Sequence, residues 1–543
     1  MKITILFAML TILAYMCLIK FTDLKNRSMR TKITLGIIML LVVIVRVYRF
    51  WSTMGLDVDE AMGGYNAWSI SKYGVDMTLK HMPVYFYAWG SGMNALYLYI
   101  TVPFIKMFGL SVFSYRLPMV VISILAAFYF LFALLKVKWQ DKNIILAMIV
   151  IFLSPATITT SRWSVESNIY PSLMVVFVAT FLLFLESKGW KKTTLFVIYN
   201  ALLAISAYAY SNNWLFLACS TILVYSWLLY TKKISIKQLL LGISTIVLII
   251  WPLFLFIWVN YVSHKELEIL GLTITKLAVT RGGSQFAFAN GDIIPSIVKN
   301  IIASTTMLVT GNDGMTRVEL PIFGPFYPFY LVFAFIGILK KCSSKFTKFD
   351  FYILLLLMAS IPTFVLIVPN FVHFNAMLIP ILYFEYIGLS ETLTNKFMQN
   401  SFIIITLLLL FLFANSYLTT NAQELQEGGI EVSSDFGNAI NATHKLKGNE
   451  VYIISRYEKI LYPAVLFYEK INPQKFYKTK EKLPPADHMY YGRFDKYRIY
   501  GNTNGIKPKN NNVYVVQNNY GADLSIFSDY KSINYGTYTV YYK

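Results

Sequence analysis

The sequence is poor in what a soluble enzyme needs. Only 14% of its 543 residues are charged, against about 25% in soluble domains. There are three cysteines, Cys17, Cys219 and Cys342, all in or beside apolar runs. Their spacing supports neither a disulfide framework nor a structural metal site. Five histidines form no HExxH or Cys/His cluster that would suggest zinc chemistry. Acids are scarcer than bases, 28 against 48, which leaves a formal charge of +20. No repeat of 20–50 residues and no half-and-half symmetry is visible. These deficits exclude a cytosolic globular enzyme, a disordered chain and a disulfide-stapled secreted domain.

What is present is apolar surface. Hydrophobic residues make up 56% of the chain and mean hydropathy is +0.54. A helix rises 1.5 Å per residue, so roughly 20 apolar residues cross a hydrocarbon core of about 30 Å. Runs of that kind predict about twelve spans, near 3–19, 33–50, 117–135, 143–160, 172–187, 194–210, 215–230, 239–258, 322–339, 351–369, 374–391 and 401–417. No small-residue cleavage site follows the first, so it reads as an anchor. The connections 20–32, 136–142, 188–193, 231–238, 340–350 and 392–400 hold 19 Lys or Arg, whereas the short opposite loops hold only Arg162. That asymmetry predicts which connections are cytoplasmic and puts both termini outside. The surplus of basic residues suits anionic lipid rather than nucleic acid.

Three outside regions depart from simple spans. Loop 51–116 carries Asp57, Asp59, Glu60 and Asp76. Its stretches Glu60–Tyr73 and Pro83–Phe108 are predicted to lie along the interface as helices. Loop 259–321 is polar and Gly-rich around Arg281. The tail, 421–543, turns polar, and its β-branched and aromatic runs at Glu450–Ser455, Asn512–Gln517 and Tyr535–Tyr542 predict strands. Between the first two, Tyr457–Lys470 has helical spacing. The chain therefore divides into a membrane domain, 1–420, and a small extracytoplasmic α/β domain, 421–543.

Acids beside a membrane are costly and therefore informative. Asp59 and Glu60 open a predicted helix, where adjacent residues point about 100° apart. One can face a substrate while the other supports it, caps the helix or holds an ion. The plain alternative is that Asp59 is the helix cap and Glu60 complements the helix dipole. Glu166 is a second outside acid, at a junction of two spans, with Arg162 four residues earlier as its plain ion-pair partner. Asp57, Asp59, Glu60 and Glu166 are also oxygen ligands of the type Mg²⁺ or Mn²⁺ takes. Cations on the outside are Lys80, His81, Arg116, His264, Lys276, Arg281 and His373.

The order of these motifs resembles a family. "GLDVDEAMGGYNAW" at Gly55–Trp68 is followed by Gly74–Asp76 and by "HMPVYFYAWGSGMNALYLYITVPFIKMFG". "SYRLP" at Ser114–Pro118 then opens a span, and "SRWSVESN" and "ELPIFGPFYPFY" come later. This series is similar to the GT-C membrane glycosyltransferases, in the branch of the protein O-mannosyltransferases and the lipid A aminoarabinose transferase. The match is good over roughly residues 33–190, looser to 417, and silent on the tail. The resemblance implies transfer of a sugar from a polyprenyl-phosphate carrier, undecaprenyl phosphate in bacteria, to an envelope glycan, teichoic acid, lipid or protein at the outer face. It places the catalytic acid at Asp59, with inversion at the anomeric carbon. Glu60 and Glu166 are the other candidate catalytic acids, and on their charge and hydrogen-bonding chemistry Arg281, Lys80, His81 and His373 are the expected ligands of the donor phosphate. Where relatives carry an acidic-Lys-Pro-Pro element, this chain has Lys80-His81-Met82-Pro83. Two other classes fit the helix count: a transporter or flippase of lipid-linked sugars, and an envelope-assembly scaffold in which Asp59 and Glu166 are dispensable.

Overall fold

A computed structural model describes residues 2–279, 286–287, 291–313, 323–420, 422, 431–446, 448–483 and 489–543. Among these residues eight helices are long and apolar enough to cross a membrane, and the chain is a multi-pass membrane protein. A ninth span results if Asp141–Phe152 and Pro155–Arg162, bent by 51°, are counted as one. The expected spans near 33–50, 194–210 and 374–391 are also helices, Met29–Val47, Gly189–Ser206 and Asn375–Thr392. Polar residues keep them outside that set, with Arg30, Lys32 and Arg46 of the first the clearest case. The expected span at 322–339 begins in residues that are not described, and helix Tyr330–Ser343 follows it. One apolar helix, Ile293–Thr310, lies where a polar loop was expected. Its Ser, Thr, Asn and Lys residues dilute the hydropathy on which the reading relied.

The chain divides into two compact units. The first comprises 1–50, 119–251 and 282–418; the second comprises 51–118, 252–281 and 419–543. In the first, backbone groups inside an apolar setting must find partners within the protein. Pro155 breaks the ladder at the bend, and the carbonyls it frees are taken up. Arg46, fully buried, donates Nη1 to Phe152 O at 2.9 Å, and the Tyr327 hydroxyl donates to Leu153 O at 2.7 Å. Elsewhere helices Tyr330–Ser343 and Asn375–Thr392 meet backbone to backbone at Gly337 and Gly388. A Cβ on Gly388 would lie 1.9 Å from Phe333 O, so only glycine permits that approach.

The second unit gathers its three chain segments with a seven-stranded sheet. The order is Lys531–Asn534, Tyr538–Tyr542, Val513–Gln517, Val451–Ile454, Tyr497–Tyr500, Tyr490–Phe494 and Glu481–Leu483. Val451–Ile454 is parallel to both of its neighbours and the other pairings are antiparallel. That central strand and Val513–Gln517 are almost wholly apolar, as strands buried on both faces must be. Helices Ser434–Leu446, Tyr462–Glu469 and Pro473–Thr479 accompany the sheet. The three expected strands and the expected helix of the tail are all present.

The first loop joins this unit through helix Val58–Tyr73, whose Gly64 faces the ring of Phe467; a Cβ there would lie 2.6 Å from it. Leu56–Asp57 also pairs with Glu431–Val432, 375 residues later in register at Leu56↔Val432 and Asp57↔Glu431. Pro83–Phe108 is not one interfacial helix. It is a hairpin, Tyr85–Ala88 with Ser91–Asn94, followed by helix Ala95–Phe108. The two-residue turn Trp89-Gly90 has positive φ at both positions, 52° and 80°, as a type I′ turn requires. Gly90 and Gly92 also weaken any helix through this stretch.

Candidate active site

Helix Val58–Tyr73 starts at a cap, and the cap is Asp57 rather than Asp59. The Asp57 carboxylate accepts from Asp59 N at 2.6 Å, and Asp57 N donates to Glu60 Oε2 at 3.2 Å, closing a capping box. Glu60 is fully buried and is gripped at both oxygens by Arg116, with Nε to Oε1 at 2.9 Å. Arg116 also donates to Met54 O at 3.2 Å and Gly55 O at 2.5 Å. It is therefore not a lipid-facing cation: 1% exposed, it ties the start of the next helix to the turn before Asp57. A buried charge is tolerable only when paired and hydrogen-bonded, and this fork-on-fork geometry supplies both.

Asp59 occupies the remaining face of that first turn. Its Oδ1 accepts from the Trp89 indole Nε1 at 2.5 Å. The Trp89 ring packs edge-on against Tyr462, with centroids 5.8 Å apart, and lies 6.3 Å from Tyr490. Tyr462 is buried in the tail. Burial, then Tyr491 and Asp59 in turn, holds its hydroxyl protonated well above the usual phenol range. One carboxylate is thus oriented by a turn residue of the hairpin, with aromatic side chains of the tail around it. Trp89 and Tyr462 were not recognised as parts of this site from sequence, and Arg116, one of the outside cations, was not matched to Glu60. Nothing in the sequence links Trp89 to Asp59 across 30 positions, or Tyr462 to Asp59 across 403.

The other expected residues are distributed. Lys80 forms an ion pair with Glu266, and His81 Nδ1 lies 3.1 Å from Gly271 O; both are in the second unit with Asp59. Asp76 shapes the turn before them. Its Oδ1 accepts from Thr78 N, Thr78 Oγ1 and Lys80 N at 2.7–2.9 Å, and burial outweighs these bonds and raises its pKa. Glu166 and His373 belong to the first unit. Glu166 is buried at the start of the short helix Glu166–Ile169. Arg162, its expected ion-pair partner, donates to Val45 O, Arg46 O and Tyr48 O at 2.9–3.0 Å. The His373 ring lies 2.7 Å by Nδ1 from Val368 O and stacks on Tyr210. Arg281 lies outside the described residues. Among the described residues no group of three or more His, Cys, Asp or Glu side chains is placed to hold a metal ion.

No family model matches the sequence, and no curated protein matches it. Solved structures do. ArnT from Cupriavidus metallidurans, crystallised with undecaprenyl phosphate, is 11% identical with a TM-score of 0.55, over 93% of this chain and 97% of that one. The apo form of the same protein gives 12% and 0.52 over the same shares. The oligosaccharyltransferase AglB from Archaeoglobus fulgidus, in complex with an inhibitory peptide and a dolichol-phosphate, gives 13% and 0.45, over 81% of this chain and 63% of that one. Over nearly its whole length, then, the chain has the fold of ArnT, the GT-C architecture that the order of its motifs resembles.

Proposed function

We propose that this protein is a glycosyltransferase that moves a sugar from a polyprenyl-phosphate donor, undecaprenyl phosphate in kind, to an acceptor of the cell envelope at the outer face. The observation that carries the reading is the Asp59 carboxylate, set in the first turn of its helix and oriented by the Trp89 indole. The fold shared with a protein crystallised with undecaprenyl phosphate supports the donor class. A base must lie within hydrogen-bond reach of the proton it removes. Asp59 takes the proton of the acceptor hydroxyl as that oxygen bonds to the anomeric carbon. The bond from that carbon to the phosphate oxygen breaks on the opposite face, so configuration inverts and polyprenyl phosphate leaves. Glu60 is a positioning residue: paired with Arg116, it holds the backbone that carries Asp59.

The leaving phosphate is anionic and calls for cationic or N–H donors rather than an acid. Lys80 and His81 are our candidates in the unit of Asp59, with Arg281 and His373 the others. Glu166 is the second candidate carboxylate. Of the acids that could take Mg²⁺ or Mn²⁺, Asp59, Glu60 and Glu166, Glu60 already has both oxygens bonded to Arg116 and is not assigned as a ligand.

The test is the sugar composition of purified envelopes. A strain lacking the protein is complemented with wild type, Asp59→Asn or Glu166→Gln at matched membrane abundance. One sugar is expected to vanish in the deletion, return with wild type and stay missing with Asp59→Asn. Full restoration by Asp59→Asn would reduce Asp59 to a helix-turn residue and overturn the reading.

A further inference from the structure

Three of the basic connections meet in the first unit. The connections 188–193, 231–238 and 340–350 hold ten lysines and a single acid, Asp350. Hydrogen bonds tie the first two together: Lys192 Nζ donates to Lys233 O at 2.5 Å, and Gln238 Nε2 donates to Thr193 Oγ1 at 3.0 Å. Rings bring in the third. Trp227, just before Lys233, lies 5.5 Å from Phe351, just after Lys348, and Phe181 stacks on Tyr352 at 3.7 Å. Lys348 is exposed and, with Glu186, lines a cavity of about 590 Å3. The other charged residues of its lining are Lys138, Lys341, Asp350 and Glu391, so three cations there meet three acids. Asp350 is neutralised within the protein, with Lys341 Nζ 2.9 Å from Oδ2 and the Tyr383 hydroxyl donating to Oδ1 at 2.5 Å.

Lys192 and Lys233 stand outside this balance and leave the patch positive. Lys348 beside it, then burial and Lys192, lower the Lys233 pKa, and Glu186 is the one acid that opposes them. Ammonium groups gathered in this way repel one another unless an anion lies among them. Three helices begin on the patch, Gly189–Ser206, Ile236–Trp258 and Lys348–Leu366, and their positive ends add to the field. The first two carry no acid in their first turn. Trp190 and Tyr230, in and beside the same connections, are 74% and 89% exposed. Aromatic side chains so placed mark the headgroup level of a bilayer. An excess of cations held at that level is complementary to the phosphate of an anionic lipid.

We infer that Lys192, Lys233 and Lys348 form a site for the phosphate of an anionic phospholipid, in the leaflet on the side of these connections. The inference does not depend on the proposed transferase activity. Native mass spectrometry of the full-length protein, released from micelles holding equimolar phosphatidylglycerol and phosphatidylcholine, reads which lipid stays bound. Wild type should retain phosphatidylglycerol over phosphatidylcholine by about tenfold or more. The triple variant Lys192→Gln, Lys233→Gln, Lys348→Gln should retain the two lipids about equally. A second triple variant, Lys20→Gln, Lys25→Gln, Lys396→Gln, removes the same charge from other connections assigned to the same face and should keep the wild-type preference. If the first triple variant does not fold, Lys233→Gln alone decides, and it should lower the preference. No preference in wild type overturns the site. Equal losses in the two triple variants, or no loss in Lys233→Gln, also overturn it, since they would mark the diffuse attraction of a basic face. Inorganic phosphate at the lipid's own concentration should leave phosphatidylglycerol bound, and displacement by it would overturn the lipid as the ligand.

Discussion

Trp89 sits at φ 52°, a left-handed conformation that costs a non-glycine residue roughly 1–2 kcal/mol. Its indole N–H is bonded to Asp59. Backbone strain retained beside the proposed base is consistent with a positioning role, since surrounding structure must over-determine such a residue. A hydrogen bond to a charged group contributes about 1.5–3 kcal/mol. Trp89→Phe keeps a ring against Tyr462 and removes the N–H. If Asp59 is the base, kcat should fall roughly 10- to 100-fold with little change in acceptor KM, read by steady-state transfer in proteoliposomes. An unchanged kcat would mean that the indole only packs. The sequence shows Asp59, Glu60 and Trp89 plainly but not their division of labour. Both acids are compatible with capping by type. The role of cap goes to Asp57 because the helix starts at Val58, two residues earlier than a cap at Asp59 would give, directly after Leu56–Asp57 pairs with Glu431–Val432.

At the scale of elements, the start of helix Val58–Tyr73 is held by one buried pair. Removing one partner of such a pair typically costs about 3–5 kcal/mol, because the other charge is left unpaired in the interior. Arg116→Met should therefore lower the thermal midpoint of the purified protein markedly. Glu60→Gln added to it should recover much of the loss, since the uncompensated charge is then gone. Equal midpoints for the single and double variants would show that Arg116 contributes only through its bonds to Met54 and Gly55. Lys480, which follows helix Pro473–Thr479, supplies a pH signature. It is half-buried, and its ammonium lies over the rings of Tyr477, Tyr491 and Phe476. Burial lowers its pKa to about 8, opposed by the charge of Asp76. The folded protein gives up this proton before the unfolded chain does. Between about pH 8 and the ordinary lysine value near 10.4 the unfolded state binds more protons, so this group makes stability rise with pH. Denaturant midpoints at pH 7.5 and 9.5 should rise less in Lys480→Met than in wild type. Identical slopes would place Lys480 in solvent when folded.

On the whole-molecule scale, charge makes the prediction. The connections assigned to the cytoplasm carry 19 Lys or Arg and the short opposite loops only Arg162, so both termini and the second unit should be outside. Cys342 is exposed beside one of those connections. In a Cys17→Ser, Cys219→Ser background, an impermeant maleimide applied to intact cells should miss Cys342 and label Asn519→Cys. A permeant reagent should reach both. The reverse pattern would invert the topology and remove the proposed base from the outer face.

Membrane residence and most spans were legible in the sequence by itself. So were the principal strands and the helix of the tail. Each depends on local quantities: hydropathy over some 20 residues, charge within a loop, β-branched and aromatic content over five or six positions. The remainder was decided by contacts that no local pattern records. The hairpin around Trp89 replaced a predicted helix because two adjacent residues with positive φ reverse the chain, while its aromatic content suits either structure. Glu60 was matched to Arg116 across 56 positions, because a buried carboxylate must find a cation wherever the fold brings one. The loop 51–118 and the tail became one unit because the Leu56–Asp57 and Glu431–Val432 strand edges needed partners, and because Gly63 and Gly64 leave room on their helix for Tyr115 and Phe467. Sequence supplied the acids, and tertiary structure decided that Glu60 is paired with Arg116 while Asp59 is bonded to Trp89.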